Sequence, residues 1–227
     1  MSIDLRKKIV IDLKKKVGLD TQKATVVAVL DVSPSMTGLY NNGTVQSLTE
    51  RLLALGLAFD DDGKIDVYGF STGYFKAPDV SVADIAGYVN KHISSKINGG
   101  TNYAPVINAI KSEFAKTSGW LVKKATTLDN PVFVIFITDG DNQDKPDTVE
   151  AITKASQHGI FFQFVGIGKE KFSFLEKLDN LSGRNIDNCG FFKVENLSNI
   201  TDERLYEMLL VEFPSFVKEA RNKGLIR

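Results

Sequence analysis

The sequence predicts an α/β domain: a doubly wound, mostly parallel sheet with helices on both faces and one antiparallel edge strand. Three observations carry this. ATVVAVLD (24–31), PVFVIFITD (131–139) and GIFFQFVGIG (159–168) are apolar runs without alternation, as strands buried on both faces require. Segments with helical periodicity separate them, the rhythm of parallel strands joined by crossover helices. KIDVYGF (64–70) is followed, after Ser71-Thr72-Gly73, by YFKAPDV (74–80), which reads as its hairpin mate.

The elements follow in order. Over 4–17, Leu5, Ile9, Leu13 and Val17 recur at steps of four and Gly18 is a stop signal, so an amphipathic helix is predicted. Its lysines 7, 8, 14, 15 and 16 are expected to point mostly outward, as a solvated face or a basic surface for a partner. The strand at 24–31 comes next, then a helix over 45–59, the hairpin, and helices over 82–93 and 104–116. After the strand at 131–139 come a helix (148–157), the strand at 159–168, a helix (172–181), a strand (190–196) and a helix (200–213). Pro214 is expected to end that last helix, leaving a basic tail, SFVKEARNKGLIR, that is either helical or loose. With no Gly/Ser/Pro-rich linker or repeat, the division is an N-terminal helix (1–19), one domain (20–214) and a tail packing on it or trailing it (215–227).

Bulk properties exclude several function classes. The chain has 227 residues, with 28 Lys plus Arg against 28 Asp plus Glu, so no global charge favours nucleic acid or an anionic membrane. Cys189 is the only cysteine, which excludes an internal disulfide and a cysteine-based zinc site and fits a reducing compartment. His92 and His158 are the only histidines, against His-rich metal chemistry. No run of about 18 apolar residues spans a bilayer, and charge interrupts the N-terminus where a signal peptide needs an apolar stretch. The expectation is a soluble, cytoplasmic protein.

The chemistry concentrates where strands end. In open α/β sheets ligands bind outside the carboxyl ends of the strands, at the point where strand order reverses. Two strands end there in a carboxylate, Asp31 and Asp139, and Asp31 opens an Asp-x-Ser-x-Ser turn with Ser33 and Ser35. Between those strands NGGTNYAP places Thr101 after two glycines and before a helix. Singly these are ordinary turn residues, and Thr101 can serve as a helix cap. Together they are two carboxylates and three hydroxyls, an all-oxygen set that suits a hard cation, Mg²⁺ first and Mn²⁺ or Ca²⁺ next.

DVSPS, GGT and ITDG, in that order and spacing, resemble the metal-ion-dependent adhesion site (MIDAS) of von Willebrand factor A (vWA) domains over about residues 20–214. LDVSPSMTGLY with FDDDGKIDVYGFS is similar, more narrowly, to the vWA-type proteins of bacterial tellurite and toxic-cation resistance, and more loosely to copine A domains. The resemblance implies that Ser33, Ser35 and Thr101 contact the cation through hydroxyls, and that Asp31 and Asp139 hold it mainly through water. All five positions are present; Pro34 departs from many relatives and stiffens the turn. It also implies a vacant metal position for an Asp or Glu of a protein partner, which can belong to a membrane-associated complex. The implied job is recognition rather than catalysis, in a stress response.

Competing readings are weaker. GFSTG (69–73) matches the Gly-x-Ser-x-Gly nucleophile elbow, and Ser71, Asp139 and His158 fall in hydrolase chain order. An elbow needs a helix directly after the serine, and YFKAPDV reads as extended. Ser71 is therefore expected in a hairpin turn, and His158 at a helix end where a protonated imidazole favours the dipole. A phosphotransferase built on Asp31 would want a second carboxylate where Ser33 stands, or a Lys/Arg clamp. FDDDGKID (59–66) starts like a calcium loop but has Ser71 where the loop needs its last glutamate. The phenylalanine pairs 161–162 and 191–192 read as core, and DGDNQDKPD (139–147) as an acidic loop that either tunes the metal's surroundings or is solvated.

Overall fold

The computed structural model describes residues 1–60, 62–115 and 127–227. Its strands are β1 (Thr25–Asp31), β2 (Lys64–Phe70), β3 (Tyr74–Lys76), β4 (Val80–Ser81), β5 (Val132–Thr138), β6 (Ile160–Ile167) and β7 (Cys189–Val194). The order across the sheet is β3-β2-β1-β5-β6-β7. All pairs from β2 to β7 are parallel; β3 and the short β4 both lie antiparallel to β2. From β1 the chain moves first to one side of the sheet and later to the other, so the order reverses between β1 and β5.

Burial on both faces sets this arrangement. Val26, Ala28 and Leu30 of β1 and Phe133, Ile135 and Ile137 of β5 join one apolar cluster; Val27, Val29, Val134 and Phe136 join the other. The period of two assigns alternate side chains to opposite faces. The first cluster is covered by α1 (Ile3–Lys16), α3 (Thr44–Phe59), α4 (Tyr88–His92), α8 (Asp202–Leu210) and α9 (Phe213–Asn222). The second lies under α5 (Ala104–Phe114), α6 (Lys145–Ala155) and α7 (Ser173–Asp179). A short α2 (Thr37–Asn41) follows β1. Helix α3 approaches closely because Gly56 has no side chain: a Cβ there would stand 2.1 Å from Cγ2 of Ile65.

Several expectations are corrected. The stripe that docks α1 is not Leu5-Ile9-Leu13-Val17: Leu5 is 55% and Val17 40% exposed, while Arg6, Val10, Leu13 and Lys14 are buried. Lys14, expected outward, turns in because its ammonium finds the carbonyls of Gln22 (2.9 Å) and Ala58 (2.7 Å) and the Phe59 ring (4.1 Å). Arg6 is held by Asp202 (2.9 Å) and Glu50 (3.1 Å), so a buried cation is matched by carboxylates from α8 and α3. The helix over 82–93 shrinks to Tyr88–His92, because Gly87 takes a left-handed φ of 69° that a continuous helix does not admit. The hairpin mate over 74–80 splits into β3 and β4, with Pro78, which has no N–H to give, between them.

Helix 148–157 begins three residues earlier, at Lys145, because Pro146 suits a first turn. The end of helix 104–116, Lys116, lies outside the described residues, as does Asp61 of the loop at 59–66. Helix 200–213 ends at Leu210, and Pro214, rather than stopping a helix, sits in the first turn of α9. The tail is thus helical over Phe213–Asn222. Its Phe213 ring stacks on Phe133 of β5, centroids 4.1 Å apart at 8°, and meets Phe59 and Phe161 edge-on or tilted.

Two predictions follow from this packing. Phe213→Ala removes the ring that joins α9 to β5 and should cost about 3–5 kcal/mol, the usual range for a buried phenylalanine. Urea unfolding with an unchanged midpoint would contradict that role. Glu212 lies over Gly190, and burial, aided by Asp179 and Asp187 and opposed by Arg184, pushes its carboxyl up to about 7. Folding therefore favours its neutral form: its contribution is complete below the ordinary carboxylate range and is lost as pH rises towards 7. Glu212→Gln should leave the melting temperature unchanged near pH 4 and raise it by about 2 °C at pH 8, a modest figure because solvent screens this half-buried group.

Candidate metal centre at the carboxyl edge of the sheet

Parallel pairing of β1 with β5, Leu30 opposite Ile137, brings both strand ends to one edge. Asp31 ends β1 fully buried; the turn after it puts the Ser33 amide on its Oδ1 at 2.7 Å. Pro34 then opens a single turn of 3₁₀ helix, which carries Ser35 back towards Ser33, with their hydroxyl oxygens 3.0 Å apart. The Ser35 hydroxyl donates to Oδ1 of Asp139 at 2.8 Å. Four of the five expected residues thus form one hydrogen-bonded chain of oxygens.

Thr101 reaches the same edge by its backbone. Its carbonyl accepts from the Gln143 amide at 2.8 Å, tying its loop to the loop after β5. It does not cap α5: the amides of Tyr103 and Ala104 are taken by the Asp144 carboxylate at 3.0 and 2.8 Å. The loop over 139–147 is therefore neither uniformly solvated nor uniformly directed at the site. Asp144 caps α5, Asp141 pairs with Lys145 at 2.8 Å, and Asp139 faces Ser35.

Residues missed in the sequence support the ones found. Thr138 donates to Oδ2 of Asp31 at 2.7 Å, completing that carboxylate's partners, and the Tyr40 hydroxyl donates to the Asp31 carbonyl at 2.8 Å. Tyr103 sits beneath, its ring edge-on to Phe70 (5.5 Å) and Phe136 (4.9 Å) and its hydroxyl on Thr138 (3.2 Å) and the Gly140 carbonyl (2.5 Å). The signal for Thr138 was its place beside Asp139; for Tyr103 it was a lone aromatic in a Gly/Asn loop. Nothing local marked Tyr40 or Asp144, whose roles depend on distant backbone.

The electrostatics suit a cation. Burial pushes the Asp31 carboxyl up to about 6 against the hydrogen bonds from Ser33 and Thr138 that oppose the shift; burial also raises Asp139. Neither carboxylate has an ion pair with Lys, Arg or His among the described residues. A fully buried carboxylate beside a half-buried one, without a counter-charge, is costly, and a hard divalent ion among oxygens would offset that cost.

The hydrolase constellation is not brought together. Ser71 lies in the turn between β2 and β3, its amide on the Gly73 carbonyl at 2.9 Å, and strand rather than helix follows. His158 precedes β6 at the amino edge, whereas Asp139 follows the parallel β5 at the carboxyl edge, a strand length of about 20 Å away. Burial, with Lys111, lowers the His158 pKa and favours neutral imidazole, contrary to the protonated form expected at the helix end.

A doubly wound sheet of this order, with an oxygen-lined turn at its switch point, is the architecture of a von Willebrand factor A domain. The chain belongs to the vWA-TerF-like family, described as the vWA found in the TerF C terminus, which matches residues 23–226. It is 38% identical over 230 residues to the uncharacterized protein YcbR of Bacillus subtilis (strain 168), covering 100% of this chain and 90% of that one. Copine-E of Dictyostelium discoideum is 27% identical over 186 residues, 74% of this chain but only 31% of the copine. Among solved structures, proximal thread matrix protein 1 of the mussel byssus superposes with a TM-score of 0.56 at 17% identity, over 86% of this chain and 48% of that one. The same byssus protein with a zinc-occupied MIDAS motif gives 0.52 at 14%, over 83% and 47%. The chain thus spans less than half of those byssus chains, and the likeness is one of fold.

Thr138→Val would leave Asp31 Oδ2 without its donor. In EDTA this should cost about 1–3 kcal/mol, the penalty for stranding a buried acceptor. A thermal unfolding curve matching wild type would show the contact to be idle.

Proposed function

We propose that Asp31, Ser33, Ser35, Thr101 and Asp139 hold one divalent cation, with Mg²⁺ favoured over Mn²⁺ and Ca²⁺, and that the chain recognises a protein partner through it. The observation that carries this is the buried Asp31 and half-buried Asp139, linked through Ser33 and Ser35 and without a cationic side chain paired to either among the described residues. When bound, the cation supplies an electrophilic position at which a carboxylate can replace water. The protein's own residues do the positioning: the Ser33 amide and Thr138 hydroxyl hold both oxygens of Asp31, and Gln143 holds the Thr101 loop. Neutral hydroxyls outnumber anions in the set, which leaves the ion electrophilic.

Domains of this class commonly mediate protein interactions, often through a MIDAS. The partner on this reading supplies an Asp or Glu and can belong to a membrane-associated complex. No described helix of this chain is long and apolar enough to cross a membrane. A role in bacterial tellurite or toxic-cation stress resistance rests on the resemblance of LDVSPSMTGLY and FDDDGKIDVYGFS to the vWA-type proteins of that response, and the lone cysteine supports a cytoplasmic setting.

Calorimetric titration should show one Mg²⁺ per chain for wild type and none for Asp31→Ala, with similar far-ultraviolet circular dichroism for both. Equal binding by the two proteins would remove the assignment. Partner capture from the host should vanish with EDTA or Asp31→Ala and persist in Ser71→Ala, while chelation shifts the melting temperature only modestly. A structural ion would instead make stability and capture fall together. In the host, wild type but not Asp31→Ala should restore tellurite tolerance to a deletion strain; unaltered tolerance of the deletion strain would exclude that role.

A further inference from the structure

A second surface lies at the opposite edge of the sheet. The segment leading into β1 and the outer face of α9 enclose a groove of about 810 Å³. Every charged residue lining it is a cation: Lys23, Lys218, Arg221 and Arg227. Asp20, close in sequence, is not among the lining residues, and among the described residues the carboxylate paired with a lining cation is Asp129, 2.6 Å from Arg227. Lys23, Lys218 and Arg221 have no ion pair among the described residues. Arg221 is nonetheless held in place, its Nη2 donating to Oε1 of the buried Gln22 at 2.7 Å and its Nε to the Arg227 carbonyl at 3.5 Å. In a chain of zero net charge, this is a concentration of positive side chains, offset in part by Asp129 at Arg227.

We propose that this groove binds an acidic segment of a partner protein, a run of Asp or Glu residues lying along it. Shape and charge select that occupant. A single phosphate fills little of such a volume, and the cations come from three chain segments. A flat bilayer matches a concave surface less closely than an extended chain that lies in it, although the four cations are exposed. Single-stranded nucleic acid would call for stacking platforms, and no aromatic residue lines the groove. An extended polyanion offers several charges to the several cations, and the exposed Val17 at the wall accommodates aliphatic stems. The domain then has two acid-reading surfaces, one at each edge of its sheet, and this one is independent of the cation site.

The test uses the full chain and N-acetylated hexaglutamate as probe, in EDTA so that the metal centre is silent. Fluorescence anisotropy should report saturable 1:1 binding that weakens about tenfold between roughly 50 and 200 mM salt, as expected for several screened charges. Lys23→Glu/Lys218→Glu, which alters two exposed residues that form no ion pair among the described residues, should weaken binding at least fivefold and create affinity for hexalysine. Asp31→Ala should bind hexaglutamate like wild type, which separates this surface from the metal site. Hexaglutamate binding unaffected by the double charge reversal would overturn the proposal. So would absence of peptide binding alongside binding of pyrophosphate or of phosphatidylglycerol vesicles.

Discussion

The contact on which the carboxyl edge depends is the Thr138 hydroxyl on the Asp31 carboxylate, made possible by the parallel pairing of β1 with β5. A buried carboxylate is tolerated only when its oxygens are satisfied, and here one donor is the backbone amide two residues on and the other comes from the neighbouring strand. Parallel register puts the threonine level with the aspartate, so strand pairing and carboxylate placement are one event. Around that contact the aromatic floor of Tyr103, Phe70 and Phe136 closes the underside. The turns above are linked by amide-to-carbonyl and amide-to-carboxylate bonds rather than by packing. The edge is closely packed below and polar above, the arrangement that the proposed ion-mediated recognition would call for.

The two faces of the sheet divide the remaining work. One carries the larger cluster, with α1, α3, α8 and α9, and contains the charged anchors Arg6 and Lys14. The other carries α5, α6 and α7 and supplies Tyr103 and the Asp144-capped start of α5 beside the site. The stack of Phe213 on Phe133 shares its cluster with Tyr40, whose hydroxyl bonds the Asp31 carbonyl, so that face also touches the candidate site.

What could be read from the sequence was what repeats or what is chemically scarce. The central strands stood out because uninterrupted valine, isoleucine and phenylalanine has few uses other than a two-sided core, and their closing aspartates stood out against that background. Ser33, Ser35 and Thr101 were legible as hydroxyls in turns next to them. Docking of α1 was not, since Lys14 and Arg6 look like solvated charges until carbonyls and carboxylates from α3, α8 and the segment before β1 are brought to them. Likewise Gly87 looked like an ordinary interruption in a helical pattern, and its left-handed backbone is what ends the pattern. Pro214 carried the right information with the wrong sign: the same fixed φ that breaks a helix also suits its first turn.

The separation along the chain between the two halves of the site has a kinetic consequence. Ser35 and Asp139 are 104 residues apart, and Thr138 and Asp31 are 107 apart. Contacts of such long range form only after the intervening chain has been ordered. A partly synthesised chain that stops before β5 has the serines and the first aspartate but neither the threonine nor the second carboxylate. The oxygen cluster is therefore complete only when the central pairing of the sheet is complete, which makes it a marker of that pairing.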